Sequence, residues 1–156
     1  MEIERKFLCS KTPSNLKNFK CHQITQGYIC SEPTIRIRKL DDSHFLTIKS
    51  KGEVSREELE LEISQIEYNN LCEKVEHNFV NKYRYLIPIE NNLVAELDIY
   101  LDELKGLITI EVEFDSIEEC NEFIPPDWFG EDISYKNEYK NVNLAKGSTK
   151  VANATL

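Results

Sequence analysis

The sequence predicts an α+β fold dominated by antiparallel β-structure, and three observations carry that expectation. Short segments of alternating apolar and polar residues recur along most of the chain, as half-buried strands require. Only a few stretches between them show helical spacing or a helix-start signal. Hydrophobic residues make up 40% and charged residues 30% of the chain, with five Gly and five Pro, a composition that folds rather than staying disordered. A length of 156 residues suits one domain, expected over residues 1–146, with the small, polar segment 147–156 as a loose tail.

Eight strands are expected, at residues 2–9, 25–30, 34–40, 44–50, 56–63, 81–88, 93–101 and 107–114. A helix is expected from Ser64 to Phe79. Ser64 and Glu67 form a capping box, and Leu71, Cys72, Val75 and Phe79 recur at helical spacing. A second box, Ser116 with Glu119, opens a shorter helix that Pro125-Pro126 stops. Thr12-Pro13 suggests a brief helix toward Phe19, and Ser134 a cap for a helical stretch through Tyr139.

The net charge of -9 argues against a broad nucleic-acid footprint. The charged opening Met1-Glu2-Ile3-Glu4-Arg5-Lys6 lacks the apolar region of a secretory signal, and no run of about 18 apolar residues occurs, so no membrane role and a cytoplasmic location are expected. Five cysteines without a Cys-x-x-Cys pair suggest neither a disulfide framework nor a zinc knuckle. His22, His44 and His77 lack metal-ligand spacing and receive no role.

The charged faces of the strands are segregated by sign. Glu2, Glu4 and Lys6 share one face of the first strand, opposite Ile3, Arg5 and Phe7. Arg36 with Arg38, Lys82 with Arg84, Glu96 with Asp98, and Glu111 with Glu113 form like-charged doublets; Lys49 lies with Thr47, and Arg56 with Glu58, Glu60 and Glu62. A solvated sheet exterior mixes signs to form cross-strand pairs, whereas like charges two residues apart repel unless an opposite charge sits between them. If the strands close into a barrel with these faces inward, the lumen holds one small ligand. Lys6, Arg36, Arg38, Lys49, Arg56, Lys82 and Arg84 suit a row of phosphoryl groups, and the carboxylates suit Mg²⁺ or Mn²⁺ that share phosphate oxygens.

The opening Glu2-Ile3-Glu4-Arg5-Lys6 resembles the Glu-x-Glu-x-Lys signature of the CYTH superfamily, the triphosphate tunnel metalloenzymes. The resemblance continues through Gln26-Gly27-Tyr28, Arg36-Ile37-Arg38, Leu46-Thr47-Ile48-Lys49, Arg56 with Glu58 and Glu60, Lys82 with Arg84, Glu96-Leu97-Asp98 and Glu111-Val112-Glu113-Phe114. It ends with Phe123-Ile124-Pro125-Pro126, Trp128-Phe129-Gly130 and Tyr139-Lys140-Asn141. It implies an eight-stranded antiparallel closed barrel, a tunnel, that binds tripolyphosphate or a nucleoside or thiamine triphosphate with divalent metal. By this likeness the seven cations hold phosphate, and Glu2, Glu4, Glu60, Glu111 and Glu113, with Glu58 and Asp98 as further candidates, hold metal. The compact members it most resembles are tripolyphosphatases. Asn81, where close relatives commonly carry Glu, and Tyr83, where a smaller residue is usual, put substrate preference in doubt.

The chemistry expected is hydrolysis of a terminal phosphoanhydride, with Tyr28 beside Lys49 as the base and Lys6 or Lys82 as substitutes. The alternatives are a class IV-type adenylyl cyclase and a non-catalytic polyphosphate-binding module. The oligomeric state stays open, a homodimer included.

Overall fold

The structure, a computed structural model, describes residues 1–147; the expected tail lies outside the described residues apart from Gly147. Ten strands are present among them: β1 (Glu2–Cys9), β2 (Lys20–Cys30), β3 (Thr34–Leu40), β4 (Ser43–Lys49), β5 (Ser55–Arg56), β6 (Glu58–Ile63), β7 (Glu76–Pro88), β8 (Val94–Tyr100), β9 (Ile108–Glu113) and β10 (Phe129–Asp132). Three helices accompany them: α1 (Gln65–Cys72), α2 (Ile117–Glu122) and α3 (Asn141–Ala145).

Hydrogen-bonded neighbours run β10-β1-β9-β8-β7-β2-β3-β4-β6, all antiparallel, and β5 pairs back onto β1. Only Glu57 separates β5 from β6, so the two act as one bent strand that bridges β4 to β1. The sheet thereby curls into a nearly closed barrel, joined by the pairs Glu2↔Arg56 and Ile3↔Ser55. Gly52 makes the turn into this strand with φ +152°, and a Cβ there would stand 2.2 Å from the Ser55 carbonyl oxygen. The expected strand count therefore describes the circuit, and β10 is an addition on the outer edge of β1.

The barrel is apolar outside and polar inside. Ile3, Phe7, Leu97, Ile110, Val112 and Phe114 pack outward under α2 and the segment from Phe123 to Phe129. Phe7, Phe123 and Phe129 lie with ring centroids 5.0–6.1 Å apart, geometry that adds to their burial. Arg5, the charged member of this outer face, donates to Asp132 and to the Cys120 and Phe123 carbonyls, tying β10 and the end of α2 to β1. A second cluster, Tyr28, Val80, Tyr100, Leu104, Leu107, Leu144 and Ala145, closes one end of the barrel with α3.

Both capping serines sit where expected. Ser64 and Glu67 form the full box on α1, and Ser116 caps α2 through the Glu119 amide. The first helix stops at Cys72, and residues 76–88 join β7 instead. Val75 and Phe79 keep their apolar role by packing on Gly27, where a Cβ would approach them to 2.9 Å. Pairing with β2 from Lys20↔Leu86 to Tyr28↔Glu76 outweighs the helical spacing and lengthens both strands beyond their expected bounds. The Thr12 segment forms only a 3-10 turn at Leu16–Asn18. Ser134 caps no helix, since its Oγ accepts from the Lys6 amide, and the expected stretch through Tyr139 forms only a 3-10 turn at Asn137–Tyr139 ahead of α3.

Candidate active site

The inward faces enclose a cavity of about 400 Å³. Strand order sets two walls opposite one another, because in the eight-strand circuit β1 and β9 stand four places from β2 and β3. Alternation then directs Glu2, Glu4 and Lys6 of β1 and Glu111 and Glu113 of β9 toward Tyr28 of β2 and Arg36 and Arg38 of β3. Lys49, Arg56, Glu58, Glu60 and Arg84 complete the predicted set that lines the space.

On the acidic wall, Glu2, Glu4 and Glu113 bring one carboxylate oxygen each within 4.8 Å of one another. Glu4 faces Glu113 across the β1–β9 ladder. Burial, then Glu111 and Glu2, push the Glu4 carboxyl well above its usual range. Burial and the neighbouring Glu96, Glu2 and Glu111 push Glu113 up to about 7. Burial also raises Glu2, but Lys49 at 3.1 Å and Arg56 at 3.3 Å outweigh it and hold that carboxyl low. Three crowded oxygen donors, two of them short of cations, fit a hard divalent ion.

On the basic wall, burial followed by Arg36 and Arg84 lowers Arg38 to about 10, the mark of positive charge without enough compensation. Its Nε donates to Gln26 Oε1 at 3.1 Å. Arg36 donates through Nη2 to Thr47 Oγ1 and stands 3.7 Å from Glu60, yet its buried Nε has no acceptor among the described residues. A buried guanidinium donor left unpaired beside a cavity is a place for an anion's oxygen.

The floor is built differently. Asp98 accepts from Arg84 Nε and Nη2 at 2.7 and 2.8 Å and from Lys82 Nζ at 2.8 Å, and neither Lys82 nor Asp98 is exposed at all. Neither lines the cavity. Burial lowers Lys82 to about 7, while Arg84 and Lys82 overcome burial to hold Asp98 low. Glu111 reaches Arg84 at 3.3 Å, and Lys6, Arg84 and Lys82 overcome its burial to keep it well below the usual carboxyl range. Glu60 hydrogen-bonds Thr47, and burial raises Glu58, the ladder partner of Lys49. Of the predicted metal ligands the structure thus gathers Glu2, Glu4 and Glu113, and gives Glu111 and Asp98 to cations of the protein.

Tyr28 and Lys49 do not form the expected pair. Lys49 Nζ donates to Glu2, whereas the Tyr28 hydroxyl accepts from Gln26 Nε2 at 2.8 Å and burial raises its pKa despite Arg36 and Arg38. Tyr28 is therefore a neutral phenol at physiological pH. Gln26, Thr47, Glu96, Tyr139 and Lys140, which the sequence motifs include without a role, also serve the site, as does Lys136, which they do not include. Glu96 and Thr47 share inward parity with predicted residues, the signal that could have found them. Asn81 and Tyr83 face outward; Asn81 links Thr25 to Asp102, so neither departure touches the cavity.

Inward charges of both signs on a nearly closed antiparallel barrel are an arrangement the opening motif implies. The CYTH domain model matches residues 1–138, and the chain belongs to that family. It is 36% identical over 148 residues to an inorganic triphosphatase of Nitrosomonas europaea, covering 92% of this chain and 96% of that protein. An inorganic triphosphatase of Acetivibrio thermocellus is 33% identical over 153 residues, covering 96% of each. The crystal structure of the inorganic triphosphatase NE1496 superposes with a TM-score of 0.69 at 33% identity, over 94% of this chain and 95% of that one. Among the described residues no helix is long and apolar enough to cross a membrane.

Proposed function

We propose that this protein is a divalent-metal-dependent triphosphatase that hydrolyses the terminal phosphoanhydride of inorganic tripolyphosphate, or of an organic triphosphate, inside its tunnel. One observation carries the reading: an acidic wall with Glu4 and Glu113 in excess beside Glu2, and a basic wall with Arg38 and the unpaired Nε of Arg36, face each other across one cavity. A phosphate chain with a divalent cation neutralises both at once. The names of the relatives at 33–36% identity support it.

Glu2, Glu4 and Glu113 would hold Mg²⁺ or Mn²⁺, which when bound draws charge from phosphate oxygens. Arg36 and Arg38 clamp the phosphoryl oxygens and fix the chain for in-line attack by water. A bond forms from the water oxygen to the terminal phosphorus as the bond to the bridging oxygen breaks, and the water's proton passes to a phosphate oxygen and on to solvent, leaving phosphate and, from tripolyphosphate, pyrophosphate. Lys49 and Arg56 orient Glu2, and Tyr28, held by Gln26, presents a neutral hydroxyl to the cavity. Arg84 lines the cavity with Asp98 and Glu111 already on it, so it steadies the floor and adds little free charge.

The test is phosphate release from tripolyphosphate, ATP, thiamine triphosphate and pyrophosphate, each with Mg²⁺, Mn²⁺ or chelator. Metal-dependent turnover of tripolyphosphate with poor use of pyrophosphate is expected. Absence of release from every triphosphate would overturn the reading, as would undiminished turnover in chelator.

A further inference from the structure

The cavity wall carries an oriented imidazole that the reaction above does not use. His22 of β2 lines the cavity with Arg38, Leu40, Arg84 and Leu86, and stands opposite Arg84 in the β2–β7 ladder. Its Nδ1 lies 2.6 Å from Asp41 Oδ2. Asp41 is in turn fixed in the β3–β4 turn: its Oδ1 accepts from the Gln23 amide at 2.9 Å, and its own amide donates to the Gln23 carbonyl at 2.9 Å. The residue takes φ 52°, a conformation Asp and Asn tolerate. The turn thus grips one ring nitrogen from outside the barrel, while Nε2 has no partner among the described residues. A histidine serving only to fill a wall has no need of a carboxylate built to orient it on the phosphate-binding side.

We propose that His22, oriented by Asp41, is an anion-binding residue that contacts a phosphoryl group of the substrate and raises affinity for the triphosphate chain. The proposal rests on the triphosphatase reading for its ligand. Charged groups around the ring are Asp41 from the turn, Arg38 from β3, Arg84 from β7 with Glu96 of β8 paired behind it, and Lys20 on its own strand. Asp41 holds Nδ1 from outside, and the two arginines stand on the cavity side that a phosphate chain would enter. An imidazolium donates from both ring nitrogens, so a bond from Nδ1 to Asp41 and one from Nε2 to a phosphoryl oxygen are made together.

The experiment measures phosphate release from tripolyphosphate with Mg²⁺, and calorimetric binding of tripolyphosphate in chelator, for the parent, His22→Ala, His22→Arg and Asp41→Asn. His22→Ala is expected to raise KM and weaken metal-free binding about tenfold, with kcat within about twofold of the parent. His22→Arg restores affinity, and Asp41→Asn falls between the parent and His22→Ala. Unchanged KM and binding in His22→Ala, or no rescue by His22→Arg, would overturn the proposal while leaving hydrolysis standing. A parent that releases no phosphate, yet binds tripolyphosphate through His22, would instead sink the hydrolytic reading and keep this one.

Discussion

The carboxylates of the acidic wall, Glu2, Glu4 and Glu113, here called the rim, and those of the floor, Asp98 and Glu111, share one barrel interior, and most of them carry opposite perturbations. Glu4 and Glu113 are raised, because burial and other carboxylates outweigh the nearest cations. Asp98 and Glu111 are lowered, because Arg84 with Lys82 or Lys6 overcomes a burial cost at least as severe. The difference separates two uses of buried charge. Floor charges are already paired by the protein and hold the barrel's shape; Glu4 and Glu113 on the rim are left in excess, and that excess is what a ligand relieves.

Breaking the rim should have the largest effect on activity and the least on the fold. Glu4→Ala or Glu113→Ala is expected to cut tripolyphosphate turnover by roughly a thousandfold, since several kcal/mol of transition-state charge stabilisation depend on the ion, with the circular dichroism spectrum unchanged. The floor should respond in reverse. Asp98→Ala strands two buried cations and should cost about 3–5 kcal/mol in a urea titration, a shift that rim substitutions do not produce.

On the opposite wall, Arg36→Lys keeps the charge but loses the planar fork, including the Nε now without an acceptor. An activity loss of roughly ten- to a hundredfold is expected from steady-state rates, the worth of one charged hydrogen bond. Lysine that performs like arginine there would mean the site needs only a point charge.

The smallest effect sharpens the contrast through pH. In chelator, Glu113 is raised from 4.5 to about 7, so its contribution to stability is fully present below about pH 4.5 and is lost as pH rises through about 7. Melting temperature of the metal-free protein should therefore fall across that window for this reason, and Glu113→Gln should flatten the fall only slightly, because the residue, though crowded by carboxylates in the cavity, keeps much of its surface in solvent, which screens the effect. A steeper fall in the variant would contradict the assigned direction.

Much of this contrast was legible in the sequence, because period-two alternation fixes which residues face inward. Parity alone placed Glu2, Glu4, Arg36, Arg38, Lys49 and Glu113 on the cavity wall. Parity says nothing of depth along the tunnel, so Lys82 and Asp98 looked equivalent to Arg84 and Glu113 although they lie beneath the floor. The partner of an inward charge is equally hidden, which is why Lys49 was assigned to Tyr28 when the β5–β1 closure delivers Glu2 to it. Helical spacing at Val75 and Phe79 misled for a related reason: their apolar contact is Gly27, a residue remote in sequence. The α3 helix has no side-chain cap, and its buried Leu144 and Ala145 give too short a pattern to read.

The measurement that bears most directly on the rim and floor is Mn²⁺ binding followed by electron paramagnetic resonance in the parent, Glu4→Gln, Glu113→Gln and Asp98→Asn, each below its melting temperature. The account predicts that both rim variants lose bound Mn²⁺ at concentrations that saturate the parent, while Asp98→Asn retains it. Mn²⁺ binding unchanged in Glu4→Gln and Glu113→Gln, or abolished in Asp98→Asn alone, would contradict it.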